Sequence, residues 1–288
     1  MTPSKIAVLS MDIEDWYHID YIDSSRCDKE FSMLDGLDVY RELMARHEVP
    51  SSFFCVGSIA QSIAPVLREI SAAGNDVGSH TQSHRRPLKI PGGEFERELE
   101  TSRKILEDIT GAPVEGFRAP CFSLDGERLE SVIRAGFTYD SSKIAFRENR
   151  RYGRMELKGF REVRPWIFRR DGFFEFQMST LDFLGRNLPV SGGGYLRIFP
   201  WKVMRPLIKR YLDEQSLYLL YIHPYELSRR TAPCLPGGHG PLKSLRFTTG
   251  LGGVETKLGS LIELLKERGY EFTTFSALRR RLLSEAGE

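Results

Sequence analysis

The chain of 288 residues carries 41 Lys and Arg against 39 Asp and Glu, a formal charge of +2, and 41% of its residues are hydrophobic. That length suits one large α/β domain or two small ones with a substantial core, and the near-neutral balance gives no support to a nucleic-acid partner. The first apolar run, Ile6 to Leu9, is too short for a signal peptide, no stretch approaches a membrane span, and the scattered Cys27, Cys55, Cys121 and Cys234 form no CxxC pair, so a cytoplasmic protein with reduced thiols is expected.

Lys5 to Met11 reads as a buried strand that runs directly into Asp12, Glu14 and Asp15. One such aspartate commonly caps a turn, but three carboxylates in four positions are costly to gather unless they meet a cation or water. A helix over Leu37–Glu48 is followed by a strand over Ser52–Val56, closed by Gly57. Ile59–Ala73 suits an amphipathic helix stopped at Gly74-Asn75. The brief strand Asp76–Gly78 then delivers His80 and His84. Each could be an ordinary hydrogen-bonded histidine; four residues apart after a strand, the two imidazoles can also aim at one metal. Glu94–Ile109 is the next helix, and Val114–Phe117 is a short strand leading to Arg118 and Pro120. Asp125–Ala135 is another helix, ahead of Phe137–Ser142. Strands alternating with helices imply a parallel sheet with right-handed crossovers. Polar residues recurring just after the strands favour a barrel with its site on one rim.

Between Lys143 and Arg170 basic residues dominate, among them Arg147, Arg150, Arg151, Arg154, Lys158, Arg161, Arg164, Arg169 and Arg170. A solvated face is the commonest reason for such a run; an anionic substrate group such as phosphate is the functional alternative. Phe173–Met178 is strand-like. Ser191–Tyr195 reads as a turn or substrate loop, and not as a phosphate-binding P-loop, because no Gly-Lys-Ser/Thr follows. Trp201–Leu212 suits an amphipathic helix whose Lys202, Arg205, Lys209 and Arg210 leave peripheral membrane contact open beside a plain surface role. The late strand Leu217–Ile222 ends at His223. Arg229–Gly253 lacks periodicity and is expected to be a long loop. Val254–Arg268 is the last long helix, before Glu271–Thr274 and a basic terminal helix. With no repeat or linker, residues 1–288 read as one domain carrying a specificity insertion at about 143–215.

Two histidines and one carboxylate make a three-ligand set that leaves metal positions open for water and substrate, and a second carboxylate beside it can act as general base. Arg118 could keep that base ionised, and His223 could protonate a leaving amine. These segments together resemble the polysaccharide deacetylase family (NodB homology, carbohydrate esterase family 4). They are Ser10-Met11-Asp12-Ile13-Glu14-Asp15-Trp16, Ser52–Gly57, Asp76–His84 with its His-Ser/Thr-x-x-His form, Gly116–Pro120 with its Arg-x-Pro form, and Leu220–Pro224. They follow the family's order over roughly residues 5–142 and 215–275.

The resemblance implies a distorted (β/α) barrel of the NodB-homology type with an inserted segment, and metal-dependent removal of an N-acyl group, acetyl by preference, from an amino sugar. It implies Asp12 as base, His80 and His84 as ligands of a divalent metal (zinc favoured), Arg118 as the tether of the base, the Cys121 backbone N–H as an oxyanion donor and His223 as acid. Trp16, Pro120, Tyr195, Arg150 and Arg151 complete the expected substrate-facing set. The commoner first motif has adjacent aspartates, whereas Ile13 follows Asp12 here. The metal carboxylate is then Glu14, on the face of Asp12 by strand alternation, or Asp15, slightly favoured for its aspartate chemistry. The Asp-x-Glu-Asp start and the tract Ser191–Pro200 resemble proteins of surface-glycan or exopolysaccharide synthesis, so a glycan precursor, phosphate-linked or not, is the expected substrate. Hydrolysis of a cyclic ureide, imide or N-formyl sugar, a non-catalytic glycan-binding barrel and a structural zinc protein are the alternatives. The sequence does not fix the oligomeric state.

Overall fold

The computed structural model describes residues 4–145, 154–183, 185–236 and 240–287. The strands are β1 (Ile6–Ile13), β2 (Ser51–Cys55), β3 (Asp76–Ser79), β4 (Gly116–Phe117), β5 (Tyr139–Asp140), β6 (Arg161–Arg164), β7 (Ile167–Arg170), β8 (Phe173–Phe176), β9 (Thr180–Phe183), β10 (Arg186–Pro189), β11 (Leu217–Ile222) and β12 (Glu271–Phe272). One curled sheet has the order β11-β1-β2-β3-β4-β5-β8-β7-β6, with β12 also pairing β1, and β9 and β10 form a separate hairpin. Pairing is parallel from β11 to β8 and antiparallel from β8 through β7 to β6. Helices such as Asp35–Arg46, Gly92–Thr110, Trp201–Glu214 and Val254–Glu267 supply the outer layer. This is the distorted (β/α) barrel expected.

Alternation along β1 decides what each face receives. Ala7, Leu9, Met11 and Ile13 pack outward with Leu37, Leu43, Leu67, Leu106 and Leu261. Ile6 and Val8 pack inward with Phe54, Tyr139, Phe174, Phe176, Leu219 and Phe275. Ser10 and Asp12 continue the inward phase, so the strand that builds the barrel floor also carries the first polar residues to its rim. Fully burying one such large apolar side chain contributes roughly 1.5–3 kcal/mol, which is what holds the polar rim on a rigid base.

Among the described residues the sheet ladder does not close on itself. The chain after β8 crosses to β11: Met178 bridges Ile144 and Gly192 bridges Tyr221. Leu219 N–H donates to Ser179 Oγ at 2.9 Å, and Ser191 Oγ donates to the Ser179 carbonyl at 2.7 Å. β8 thus stands in the barrel wall, between β5 and β7.

Two local expectations change. The tract Ser191–Tyr195 does not stay a loop: Gly193–Ile198 is helical. Arg229–Gly253 contains the helix Pro241–Thr248, begun by a proline in its first turn and pinned by the buried Phe247. Its short length and single anchor explain why no periodicity announced it.

Candidate active site

Arg118 follows β4 and is fully buried, its guanidinium 4.1 Å from the Phe54 ring centroid. Its donors are spent on specific acceptors. Nη1 donates to Asp12 Oδ1 at 2.6 Å and to Ser10 Oγ at 2.9 Å, Nε to the Ser141 carbonyl at 3.1 Å, and Nη2 to Ser141 Oγ at 3.1 Å. A buried guanidinium held this way fixes the direction of the Asp12 carboxylate. Ser10 and Ser141 are members of this array that the sequence reading did not single out; only their inward phase, two residues before Asp12 and one after β5, hinted at it.

Beside this pair, Glu14, His80 and His84 each offer a ligand atom, all lying within 4.8 Å of one another. His80 Nδ1 shares a 2.7 Å hydrogen bond with the Arg118 carbonyl; a carbonyl only accepts, so Nδ1 carries the proton and Nε2 keeps its lone pair for the site. Burial pushes the His80 imidazole down to about 4, which keeps it in the neutral, ligating form. His84 Nε2 is buried against the Glu14 carboxylate without a directed hydrogen bond. Burial disfavours the charged Glu14 carboxyl, but the His84 and His223 imidazoles outweigh it and hold the group far below the usual carboxylate range. His84 itself sits in the left-handed region (φ 60°), as do Thr81 and Cys121 (φ 63° and 56°). Such backbone costs about 1–3 kcal/mol per residue and persists where its surroundings enforce it. Two imidazoles and a carboxylate, all ready to give lone pairs to one point, fit a divalent cation of the zinc class.

Of the two candidate carboxylates, Glu14 is the one whose oxygen lies with the two imidazoles. Asp15 Oδ1 accepts from Trp16 N–H at 2.8 Å and Met33 N–H at 2.9 Å, capping the short turn Trp16–His18. Its Oδ1 is taken by backbone, and its Oδ2 is buried without a hydrogen-bond partner among the described residues, while Glu14, in the phase of Asp12, joins the histidines. The same turn buries the Trp16 ring among Met33, Tyr225 and Phe247, with Nε1 donating to the Phe31 carbonyl at 2.8 Å. His18, not anticipated, accepts the Asp15 N–H at Nδ1 (3.0 Å), and its ring centroid lies 5.3 Å from that of His84.

His223 stands at the end of β11. Its Nδ1 and Glu226 Oε2 are 3.0 Å apart, and its backbone N–H donates to the same oxygen at 3.1 Å. Its Nε2 lies 3.7 Å from Glu14 Oε1. Burial opposes a charge on this imidazole, but the Glu14 and Glu226 carboxylates prevail and hold it up to about 9. Glu226 is itself buried and paired with the buried Arg197 at 3.3 Å. Neither residue was anticipated, because they meet only when the helix Gly193–Ile198 packs on β11. Gly193 permits that approach: a Cβ there would stand 2.1 Å from Glu226 Oε2. Gly193→Ala should therefore displace Glu226 from His223. The expected result is a kcat lowered about tenfold or more at nearly unchanged KM, with a stability loss of about 1–3 kcal/mol, read from steady-state kinetics and thermal unfolding.

Asp12, Glu14, His80, His84 and His223 line one cavity of about 490 Å³. Ile19, Tyr21, Cys121 and Phe122 also line it, as do the solvent-exposed Tyr195, Phe199 and Arg246, which mark its mouth. Cys121 and Tyr195 thus reach the site. Pro120 is buried, does not line the cavity, and starts the turn Pro120–Phe122. Arg150 and Arg151 lie outside the described residues. The neighbouring Arg164 and Arg170 are ion-paired with Glu285 (2.8 Å) and Glu130 (2.7 Å), and no basic residue of 154–170 lines the cavity.

Residues 38–139 match the family described as polysaccharide deacetylase, and residues 141–279 match a domain of unknown function (DUF3473). The chain is 27% identical over 107 residues to a peptidoglycan deacetylase of Helicobacter pylori, covering 37% of this chain and 36% of that protein. It is 32% identical over 96 residues to a chitooligosaccharide deacetylase of Sinorhizobium fredii, covering 33% and 45%. The chain is thus similar to the polysaccharide deacetylase family over residues 38–139. It spans under half the length of these relatives. Among solved structures, one from Mycobacterium smegmatis described as a polysaccharide deacetylase superposes with a TM-score of 0.62 at 14% identity, covering 99% of this chain and 93% of that one. A family pseudoenzyme from Bacillus anthracis gives 0.56 at 14% identity, covering 97% and 66%. These likenesses concern the fold. The two sequence matches abut beside β5, yet the sheet runs on from β4 through β5 to β8.

At that junction the chain buries two further acids, Asp140 and Glu175. Both accept from the Ser142 N–H at 3.2 Å, and Glu175 Oε1 also accepts from Lys143 N–H at 2.8 Å. Glu175 Oε2 meets no N–H or O–H donor, which is where a proton shared with Asp140 belongs. Burial, then the neighbouring Asp140 carboxylate, pushes the Glu175 carboxyl well above its usual range, and burial raises Asp140. A raised carboxyl favours the folded state below its ordinary range and loses that contribution as pH rises through the folded value. Wild-type stability should fall relative to Glu175→Gln as pH rises above the ordinary carboxyl range, by up to about 1.4 kcal/mol per pH unit while the folded state keeps the proton that the unfolded chain has lost, and level off above the folded value. Urea unfolding of both proteins across pH checks this; parallel curves would contradict it.

Proposed function

We propose that the protein is a metal-dependent N-deacetylase acting on an N-acetylated amino sugar of a glycan. What carries the reading is the convergence, in one cavity, of an Arg118-held Asp12, the Glu14-His80-His84 ligand set and the Glu226-backed His223. The fold alone would not carry it, since function resides in sites and one fold neighbour is described as a pseudoenzyme. Glu14, His80 and His84 would hold the metal, which when bound supplies Lewis-acid polarisation of the amide carbonyl and of a water.

The chain's own residues divide the proton work. Asp12 takes the proton from the attacking water; its guanidinium partner keeps it aimed. His223 enters charged, with Nδ1–H on Glu226, and gives its Nε2 proton to the departing nitrogen as the C–N bond breaks. Acetate and the free amine leave. The left-handed turn at Cys121 brings backbone to the cavity wall, where its N–H would steady the developing oxyanion. The relatives described as peptidoglycan and chitooligosaccharide deacetylases support an N-acetylated sugar as substrate.

The test is acetate release from chitooligosaccharides and peptidoglycan fragments by the full chain, before and after chelation and on zinc readdition. Release that disappears on chelation and returns with metal is expected. Bound metal without release from any substrate would favour the non-catalytic glycan-binding reading, and chelator-insensitive release would remove the metal from the mechanism.

A further inference from the structure

We propose that the face around the cavity mouth docks on an anionic lipid bilayer, so that the site opens toward membrane-attached substrate. The docking rests on the surface alone; its purpose, presenting a lipid-linked N-acetylated glycan, rests on the deacetylase reading.

Among the described residues the large hydrophobics exposed to solvent are Tyr195 (37%), Phe199 (43%), Val203 (49%), Leu242 (80%) and Leu245 (63%). Tyr195 and Phe199, from Gly193–Ile198 and its end, line the cavity; Leu242 and Leu245 stand on the helix Pro241–Thr248, whose Arg246 also lines it; and Val203 lies in the first turn of Trp201–Glu214, soon after Phe199. Tyr195 and Phe199 stack with their rings 3° from parallel and line the cavity together with Arg246. Leu242 and Leu245 precede Arg246 on its own helix, three residues apart and so on one face. The helices are fixed to each other, since Arg197 Nη1 donates to the Phe247 carbonyl at 3.2 Å. Gly250, in the left-handed region, lets the chain pass Arg197 where a Cβ would lie 2.2 Å from its carbonyl oxygen.

The charge pattern selects the partner. From Phe183 to Leu212 the sequence has no Asp or Glu and six Arg or Lys; from Leu227 to Val254 it has none and four. Lys202, Arg205, Lys243 and Arg246 are exposed on these helices. Cations attract anionic headgroups, each contributing about 1 kcal/mol near such a surface. Two aliphatic side chains left this far in water contribute nothing to a soluble polyanion, but they can enter the acyl boundary, where apolar residues on a basic face are the signature of an interfacial helix. No helix among the described residues is long and apolar enough to cross a membrane, so the contact is peripheral.

The experiment is co-sedimentation of the full chain with vesicles of equimolar phosphatidylcholine and phosphatidylglycerol, beside phosphatidylcholine alone. Wild type is expected to bind the mixed vesicles, weakly or not at all the neutral ones, and less as salt rises. Leu242→Ser/Leu245→Ser should weaken that binding tenfold or more while acetate release from soluble chitooligosaccharide is unchanged. No binding to anionic vesicles at low salt, or equal binding by wild type and variant, overturns the proposal. So does sedimentation velocity showing that these leucines join two copies of the chain. Vesicle binding without acetate release from any substrate would refute the deacetylase reading and leave the docking standing.

Discussion

Asp12→Asn should lower kcat by about 10²–10⁴-fold, the usual contribution of a general base, while the protein still binds its divalent metal. Asparagine keeps the size of Asp12 and one oxygen for Arg118 Nη1, but it cannot take a proton from water. The same change leaves the buried guanidinium without its counter-charge. Breaking a buried pair costs about 3–5 kcal/mol when one partner is simply removed. The loss here should fall below that, because Arg118 retains Ser10 and Ser141 as acceptors. Thermal unfolding, bound metal and acetate release measured on one preparation separate the effects. Folded, metal-loaded and inactive protein is the expected outcome; loss of metal would move Asp12 into the ligand set and remove it as base.

The second large effect distinguishes Glu14 from its neighbour. Glu14→Gln should weaken metal binding by more than about 100-fold, since even the groups that orient ligands account for about 10–100-fold. Asp15→Ala should leave metal affinity within a few-fold and instead cost about 1–2 kcal/mol of stability, because the Trp16 and Met33 N–H groups lose their acceptor. Competition with a chromophoric chelator gives the affinities, and urea unfolding gives the stabilities. Metal lost from Asp15→Ala and kept by Glu14→Gln would reverse the assignment.

These two residues also show how far the sequence could be read. The barrel was legible because strand and helix periods alternate cleanly up to Ser142, and because polar residues recur at strand ends. Asp12, Arg118, His80, His84 and His223 were legible because each follows a recognisable strand. Glu14 was available from alternation along β1, and the choice went to Asp15 only because side-chain chemistry was weighed above backbone phase. A turn starting at residue 16 needs a cap, and Asp15 is that cap. Trp16 fails on the same ground, since a residue inside a tight turn points where the turn points.

Glu226 and Arg197 are a different case. Nothing local marks them, and they become a positioning pair for His223 only when a helix 29 positions away packs on β11. The Asp140–Glu175 pair likewise exists only because β8 lies beside β5. The helix Pro241–Thr248 escaped because one buried phenylalanine, with leucines facing solvent, yields no amphipathic period. Its exposed leucines are the feature that a sequence pattern alone would most readily dismiss.

The most direct measurement is zinc-edge anomalous diffraction from crystals grown with zinc. The account predicts a single strong peak among His80 Nε2, His84 and the Glu14 carboxylate, with Asp12 still on Arg118. A peak at Asp15, or no peak at these residues in protein that releases acetate, would contradict it.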